Sequence, residues 1–165
     1  MLIREINVKD KDNYIQLQRK LDDETIYMAF EKDDRDKWVE RVEGDIKWFC
    51  SQDNSAIWVA EENDSLIGFL QITQHGLLRT SHIGTVFIGL LQESTGKKIG
   101  TRLFENLFEW CKNSSLTRLE LTVVSENKPA IGLYKKMGFE IEGERQRSFK
   151  ISDKYYSEFS MAKLL

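Results

Sequence analysis

The sequence contains very little proline, cysteine and histidine: one, two and two residues, respectively, among 165. Cys50 and Cys111 stand apart, without the CxxC or Cys/His spacing of a metal site, so no metal is expected. Two isolated cysteines in helix-like surroundings predict reduced, packed thiols. They therefore favour a cytoplasmic protein over a disulfide-bonded secreted one.

Long hydrophobic runs and a strong net charge are also missing. No apolar stretch approaches the roughly 20 residues that span a bilayer, so no membrane partner is expected. Charges within the first six residues argue against a signal peptide. The net charge of −3 gives no reason to expect nucleic-acid binding. With 41% hydrophobic residues, the chain is predicted to form one globular domain over residues 1–165.

The hydrophobic periodicity predicts alternating strands and helices. Strands are expected at 2–7, 56–60, 66–73, 81–91, 119–124, 139–151 and 155–165, and helices at about 10–22, 38–50, 97–113 and 129–137. The second and third strands would form one hairpin, and the last two would form a closing antiparallel pair. This order implies one mixed α/β sheet covered by helices.

One informative segment joins the strand at 81–91 to the helix that follows. A polar turn contains Gly96, Lys97, Lys98 and Gly100. A strand, a glycine-containing turn and a helix together direct backbone N–H groups and the positive helix end toward an anion, and the lysines add charge there. The same residues would also suit an ordinary connection with a solvated basic tip.

A second segment follows the strand at 119–124. Asn127 is placed to cap a helix that Pro129 opens and Gly138 ends. Tyr134 lies two turns along the same helix face, where its hydroxyl can act as a hydrogen-bond donor or proton source. Alternatively, Asn127 is only a cap and Tyr134 only a core aromatic.

These two segments together resemble the GCN5-related N-acetyltransferase (GNAT) superfamily. The family pattern N-x-x-A-x-x-L-Y-x-K-x-G-F is matched by Asn127, Ala130, Leu133, Tyr134, Lys136, Gly138 and Phe139. The resemblance implies an α/β GNAT fold: a single mixed sheet of about seven strands with a splayed parallel pair, flanked by about four helices.

The resemblance also implies acetyl-CoA as cofactor, lying where the strands at 84–91 and 118–124 splay apart. Backbone groups that would bind it are those of Ile88, Gly89, Leu90, Leu91, Gly96, Lys97, Lys98, Ile99, Gly100 and Thr101. Asn127 would contact the cofactor or an ordered water. Tyr134 would be the catalytic general acid that donates to the departing thiolate.

The sequence departs from the family pattern at two places. Where the family usually has R/Q-x-x-G-x-G/A, Thr95 replaces the Arg or Gln and Lys98 replaces the first glycine. A positive φ at Lys98 would cost about 1 kcal/mol or more, whereas a helical φ would avoid that cost. Thr85 stands where many relatives carry a glutamate base, so a water-relayed proton is expected, with His82 and Glu93 as further candidates.

The acceptor site is predicted in residues 23–31 and on the first splayed strand. Glu24, Tyr27, Met28 and Thr85 are its candidate residues, although residues 23–31 would equally suit an acidic surface loop. Carboxylates beside an aromatic and a methionine would suit an amine.

The resulting expectation is an N-acetyltransferase that moves an acetyl group to a primary amine, on a small molecule or a protein N-terminus. Transfer would be direct, within a ternary complex, because no cysteine stands in a nucleophile position. The family analogy also implies a homodimer. The alternative is a non-catalytic acyl-CoA-binding or sensing module, which the altered turn and the missing strand carboxylate would favour.

Overall fold

The computed structural model describes residues 1–31 and 34–165. The elements of these residues are β1 (Leu2–Glu5), α1 (Lys11–Glu24), α2 (Val42–Cys50), β2 (Ala56–Glu62), β3 (Ser65–Gln74), β4 (Ile83–Leu90), α3 (Ile99–Cys111), β5 (Arg118–Val124), α4 (Lys128–Lys136), β6 (Glu140–Ile151) and β7 (Lys154–Leu164). Short 3-10 turns cover Val8–Asp10, Arg35–Arg41 and Gln92–Ser94. None of the helices in these two ranges is long and apolar enough to cross a membrane.

The strands form one mixed sheet. Its order is β1-β2-β3-β4-β5-β7-β6, with seven strands in the described ranges. β1–β2, β2–β3, β5–β7 and β6–β7 are antiparallel pairs. β4 and β5 run parallel and pair at Ile83–Arg118, Gly84–Leu119 and Thr85–Glu120, at the start of both strands. The predicted mixed sheet, with four α-helices in the same ranges, is therefore confirmed.

The chain divides into two compact units. The first contains Met1–Thr73 and Phe87–Ser114, and the second contains Gln74–Val86 and Ser115–Leu165. The sequence of β4 is divided between them, its first residues belonging to the second unit and its last to the first. The single domain expected over residues 1–165 stays a prediction.

The core of the first unit is built on the apolar faces of α1 and α3. Leu17 and Leu21 on α1 and Leu103 on α3 are almost completely buried, as their helical spacing predicts. Gly89 in β4 lies against this packing. A Cβ there would stand 2.7 Å from Leu21 Cδ1 and 2.8 Å from Phe69 Cε1, so a larger residue would displace its neighbours.

The helix predicted over 38–50 is shorter than expected. Residues Arg35–Arg41 form a 3-10 turn, and the α-helix begins only at Val42. In a 3-10 helix, residues three apart lie one above the other. This spacing suits Trp38 and Arg41, whose guanidinium carbon is 4.9 Å from the Trp38 ring centroid. Phe30 also contacts Trp38, edge to face at 6.4 Å.

The two cysteines are free, but only one is packed. Cys111 on α3 is buried, whereas Cys50 is exposed, contrary to the expectation of two packed thiols. Cys50 is the last residue of α2, where the helix face no longer has to pack, and its Sγ lies 3.4 Å from the Ile6 carbonyl oxygen.

The second unit is dominated by β5, β6 and β7, and α4 lies between β5 and β6 in sequence. Gly138 follows α4 with a φ of +87°, the left-handed geometry predicted for the end of that helix. The predicted closing hairpin is confirmed, since β6 and β7 pair antiparallel around residues 152–153.

Candidate active site

The end of β4 leads directly into the basic turn, within the first unit. Ile88, Gly89 and Leu90 are its last residues. The N–H of Leu91 donates to the Ile67 carbonyl at 3.0 Å, and the N–H of Gln92 donates to Glu24 Oε2 at 2.7 Å. Main-chain and carboxylate acceptors thus fix the backbone just before the turn.

The turn itself has left-handed backbone geometry at two positions. Gly96 has a φ of +74°, and Lys98, the N-cap residue of α3, has φ +63° and ψ +14°. Of the two conformations open to Lys98, the structure has the strained one, which costs a residue with a Cβ about 1–2 kcal/mol. Lys98 makes no side-chain cap, and its carbonyl accepts from Arg102 N–H at 3.1 Å.

This turn fits a phosphate group. Ile99 and Gly100 open α3, at the positive end of the helix dipole, where the first backbone N–H groups of a helix have no intrahelical acceptor. Lys97 and Lys98 are exposed beside them. Backbone donors, the dipole and two ammonium groups are what a pyrophosphate requires.

The acceptor candidates of the first unit have other partners in the structure. The Glu24 carboxylate is engaged by Gln92 N–H. Met28 is buried at 8% exposure, and Tyr27, half-buried, donates its N–H to Thr25 Oγ1 at 3.2 Å. Their contact with an acceptor stays a prediction.

In the second unit, Asn127 caps α4 as predicted. Its Oδ1 accepts from Ala130 N–H at 3.3 Å, and Pro129 occupies the first turn of the helix. The Nδ2 donors of Asn127 are not used by this cap and are the part of the side chain that suits a ligand.

Tyr134 is buried on the same helix, at 7% exposure, 6.2 Å from the Phe139 ring. Burial raises the pKa of its hydroxyl above the ordinary value of 10. The phenol is therefore protonated at neutral pH and suited to donate a hydrogen bond to a developing thiolate.

Thr85 is joined to a histidine that the sequence reasoning missed. His75 Nε2 lies 3.0 Å from Thr85 Oγ1 and 3.3 Å from Glu120 Oε1. A His with a carboxylate neighbour is a signal for proton transfer, but His75 and Glu120 are 45 positions apart, and only their contact in the folded chain shows that they are close.

The other two candidates for proton transfer lie elsewhere. His82 is exposed just before β4, and its carbonyl accepts from Thr117 and Arg118 N–H groups. Glu93 is exposed in the 3-10 turn Gln92–Ser94 of the first unit.

Comparison with known proteins identifies the family and the fold. The sequence profile described as "Acetyltransferase (GNAT) family" matches residues 18–139, well over half of the chain. The chain belongs to this family. Its members use acetyl-CoA as cosubstrate, and the basic turn at α3 suits the anionic part of that molecule.

Individual GNAT proteins give the same assignment. The acetyltransferase of GNAT family from Streptococcus pneumoniae is 32% identical, with a TM-score of 0.94 over 99% of this chain and 98% of that one. L-amino acid N-acetyltransferase AaaT from Escherichia coli (strain K12) is 32% identical over 64% of this chain and 66% of its own length.

A more distant structure shares the fold. The GNAT superfamily phosphinothricin acetyltransferase from Sinorhizobium meliloti, in complex with acetyl-CoA, is 16% identical, with a TM-score of 0.86 over 99% of this chain and 88% of that one. The chain spans less than two thirds of the length of the curated relatives that it matches.

Proposed function

We propose that this GNAT protein moves the acetyl group of acetyl-CoA directly to a primary amine, with both substrates bound at once. The amine belongs to a small molecule or to a protein N-terminus. The observation that carries the proposal is the basic turn at the start of α3, with its left-handed Gly96 and Lys98. Acetyl-CoA supplies an acetyl group already activated as a thioester.

Direct transfer is supported by the state of the two cysteines. Burial raises the pKa of the Cys111 thiol to about 11, and desolvation also raises that of Cys50. The reactive form of a cysteine is the thiolate, so neither is prepared to take up an acetyl group at neutral pH. An acceptor amine must then attack the thioester itself.

The proposed roles follow from the chemistry of each group. Ile88, Gly89, Leu90 and Leu91 offer main-chain groups to the pantetheine arm, and Lys97 and Lys98 pair with phosphate. In the second unit, Asn127 offers its Nδ2 donors, and Tyr134 donates its hydroxyl hydrogen to the leaving sulfur. Glu24, Tyr27, Met28 and Thr85 remain the proposed acceptor contacts. The homodimer and the cytoplasmic location stay predictions.

The first test measures binding and then turnover. We expect acetyl-CoA and CoA to bind in calorimetry with micromolar affinity and ATP not to bind. Free L-amino acids and a pentapeptide beginning with alanine are then screened for release of the CoA thiol. Amino acids come first because AaaT, whose name gives L-amino acids as substrates, is among the similar proteins.

The possible outcomes separate the two functions considered. Thiol release that depends on an amine, together with the acetylated amine in the mass spectrum, supports the transferase. Binding of acetyl-CoA without release for any amine would favour the sensing module instead. Failure to bind acetyl-CoA would contradict both.

A further inference from the structure

The second unit contains a connected group of polar side chains around His75. Its Nε2 lies 3.0 Å from the Thr85 hydroxyl and 3.3 Å from Glu120 Oε1. The other oxygen of Glu120 lies 3.3 Å from Arg118 Nε, and Arg118 in turn donates two hydrogen bonds to Glu142. We call His75, Thr85 and Glu120 the histidine cluster.

The histidine cluster lies at a defined point of the sheet. Thr85 and Glu120 are opposite each other, and theirs is the last of the three pairs that join β4 to β5. The side chains of His75 and Glu120 are about one third exposed, at 33% and 32%. The cluster is therefore reachable from solvent while its members remain in contact.

Acetyl transfer to an amine requires a proton acceptor. An alkylamine is mostly protonated at pH 7 and becomes a nucleophile only after losing a proton. Thr85 touches His75, and a threonine hydroxyl can pass a proton on but cannot retain it. An imidazole exchanges protons near neutral pH and is the side chain most often used as a general base.

We propose that His75 is the final acceptor of the proton released by the acceptor amine, that Thr85 passes this proton on, and that Glu120 stabilises the imidazolium formed. This inference rests on the proposed function. His75 acts through Thr85 and does not contact the amine, so His75 is a positioning residue and Thr85 is the relay.

The proton balance is simple. One N–H bond of the ammonium breaks, its proton goes to Thr85 Oγ1, and the hydroxyl proton of Thr85 goes to His75 Nε2. The ammonium becomes a neutral amine, and the imidazole becomes an imidazolium. The new Nε2–H has Thr85 Oγ1 at 3.0 Å and Glu120 Oε1 at 3.3 Å as neighbours, and the imidazolium and the carboxylate carry opposite charges once the proton has arrived.

Other charged side chains lie near the His75–Glu120 pair. Arg118 and Glu142 form an ion pair of their own, which lowers the pKa of the Glu142 carboxyl. Arg118 also contacts Glu120 through its Nε, on the carboxylate oxygen that does not face His75. On the connection between β3 and β4, the remaining titratable side chains are Arg79 and His82, and both are exposed.

The kinetic test compares His75→Gln with His82→Gln, the matched exposed histidine of the same connection. The acceptor is the free L-amino acid with the fastest thiol release in the screen. At pH 7 we expect kcat of His75→Gln to fall about 10²-fold, as is typical for loss of a general base, and His82→Gln to behave as wild type. The loss of kcat in His75→Gln should shrink to about fivefold or less near pH 9.5, because more of the amine is then already neutral.

Two further variants test the relay. Thr85→Val should lower kcat at pH 7, and adding it to His75→Gln should cause no further loss, because both remove one pathway. A His75→Gln variant with wild-type kcat, or with an equal deficit at both pH values, would overturn the proposal.

A test that needs no acceptor uses the fact that the chain has two histidines. In a His82→Gln background, NMR follows the titration of His75 alone. We expect Glu120→Gln to lower its midpoint, because the imidazolium loses its partner. An unchanged midpoint would contradict the role of Glu120. If wild type acetylates no amine, the proposed function fails, but this titration still decides whether His75 and Glu120 are coupled.

Discussion

The starts of α3 and α4 differ in whether a side chain caps their first backbone N–H groups. Each helix follows a strand of one sheet and begins with backbone N–H groups that the helix itself cannot satisfy. At α4, Asn127 accepts from Ala130 N–H and Pro129 occupies the first turn. At α3, Lys98 is left-handed and gives no side-chain cap.

This difference supports the proposal that the start of α3 binds the anionic part of the cofactor. The start of α4 is capped by the Asn127 side chain, and the catalytic role proposed for this helix belongs to Tyr134, further along it. The start of α3 has a strained backbone and two exposed lysines, and the charges of these lysines would stabilise a bound anion. Three substitutions test this contrast, from the largest expected effect to the smallest.

Tyr134→Phe removes the hydroxyl that α4 is proposed to contribute. We expect kcat to fall about 10²-fold, as is typical for loss of a proton or hydrogen-bond donor to the leaving group, with little change in acetyl-CoA affinity. Thiol-release kinetics and calorimetry on the same preparation measure the two quantities. An unchanged kcat would leave Tyr134 only a core aromatic, and urea unfolding serves as the control for folding.

Asn127→Ala removes the side-chain cap of α4. We expect the free energy of unfolding to fall by about 1 kcal/mol, the usual cost of a lost N-cap. Urea denaturation measures it, and Asn127→Asp, which keeps an acceptor oxygen, should recover most of the loss. Equal stability of the alanine and aspartate variants would mean that the cap contributes nothing here.

Lys98→Gly should instead stabilise the fold, because glycine adopts a φ of +63° without steric cost. We expect its free energy of unfolding to be up to about 1 kcal/mol higher than that of Lys98→Ala, because alanine keeps a Cβ and with it the strain. Both variants lose the ammonium, so both should bind acetyl-CoA about two- to fivefold more weakly than wild type, as for an exposed ion pair. A Lys98→Gly variant less stable than Lys98→Ala would refute the strain, and unchanged affinity in both would refute the phosphate contact.

The same contrast explains how far the sequence could be interpreted. The cap at Asn127, the proline turn and the left-handed Gly138 were predicted because each depends on one residue and its immediate neighbours. The conformation of Lys98 was left open, since a lysine can adopt either helical or left-handed φ. The preceding turn and the position of α3 had to decide it.

His75 could not be found in the same way. In the sequence it is one of two histidines, and no carboxylate stands at a spacing from it that would indicate a catalytic pair. The pairing of Thr85 with Glu120 brings it beside both. The exposure of Cys50 and the 3-10 turn at Arg35–Arg41 were missed for a related reason, because packing against other elements determines both.

The sequence by itself determined the order of strands and helices, the family, and the two segments that carry its motif. These depend on hydrophobic periodicity, capping residues and local spacing, which act over a few positions along the chain. The tertiary structure decided the strain at Lys98, the engagement of Glu24 by Gln92 and the meeting of His75 with Thr85 and Glu120. Each of these depends on residues far apart in the chain or on a backbone held by its surroundings, and no local pattern records such contacts.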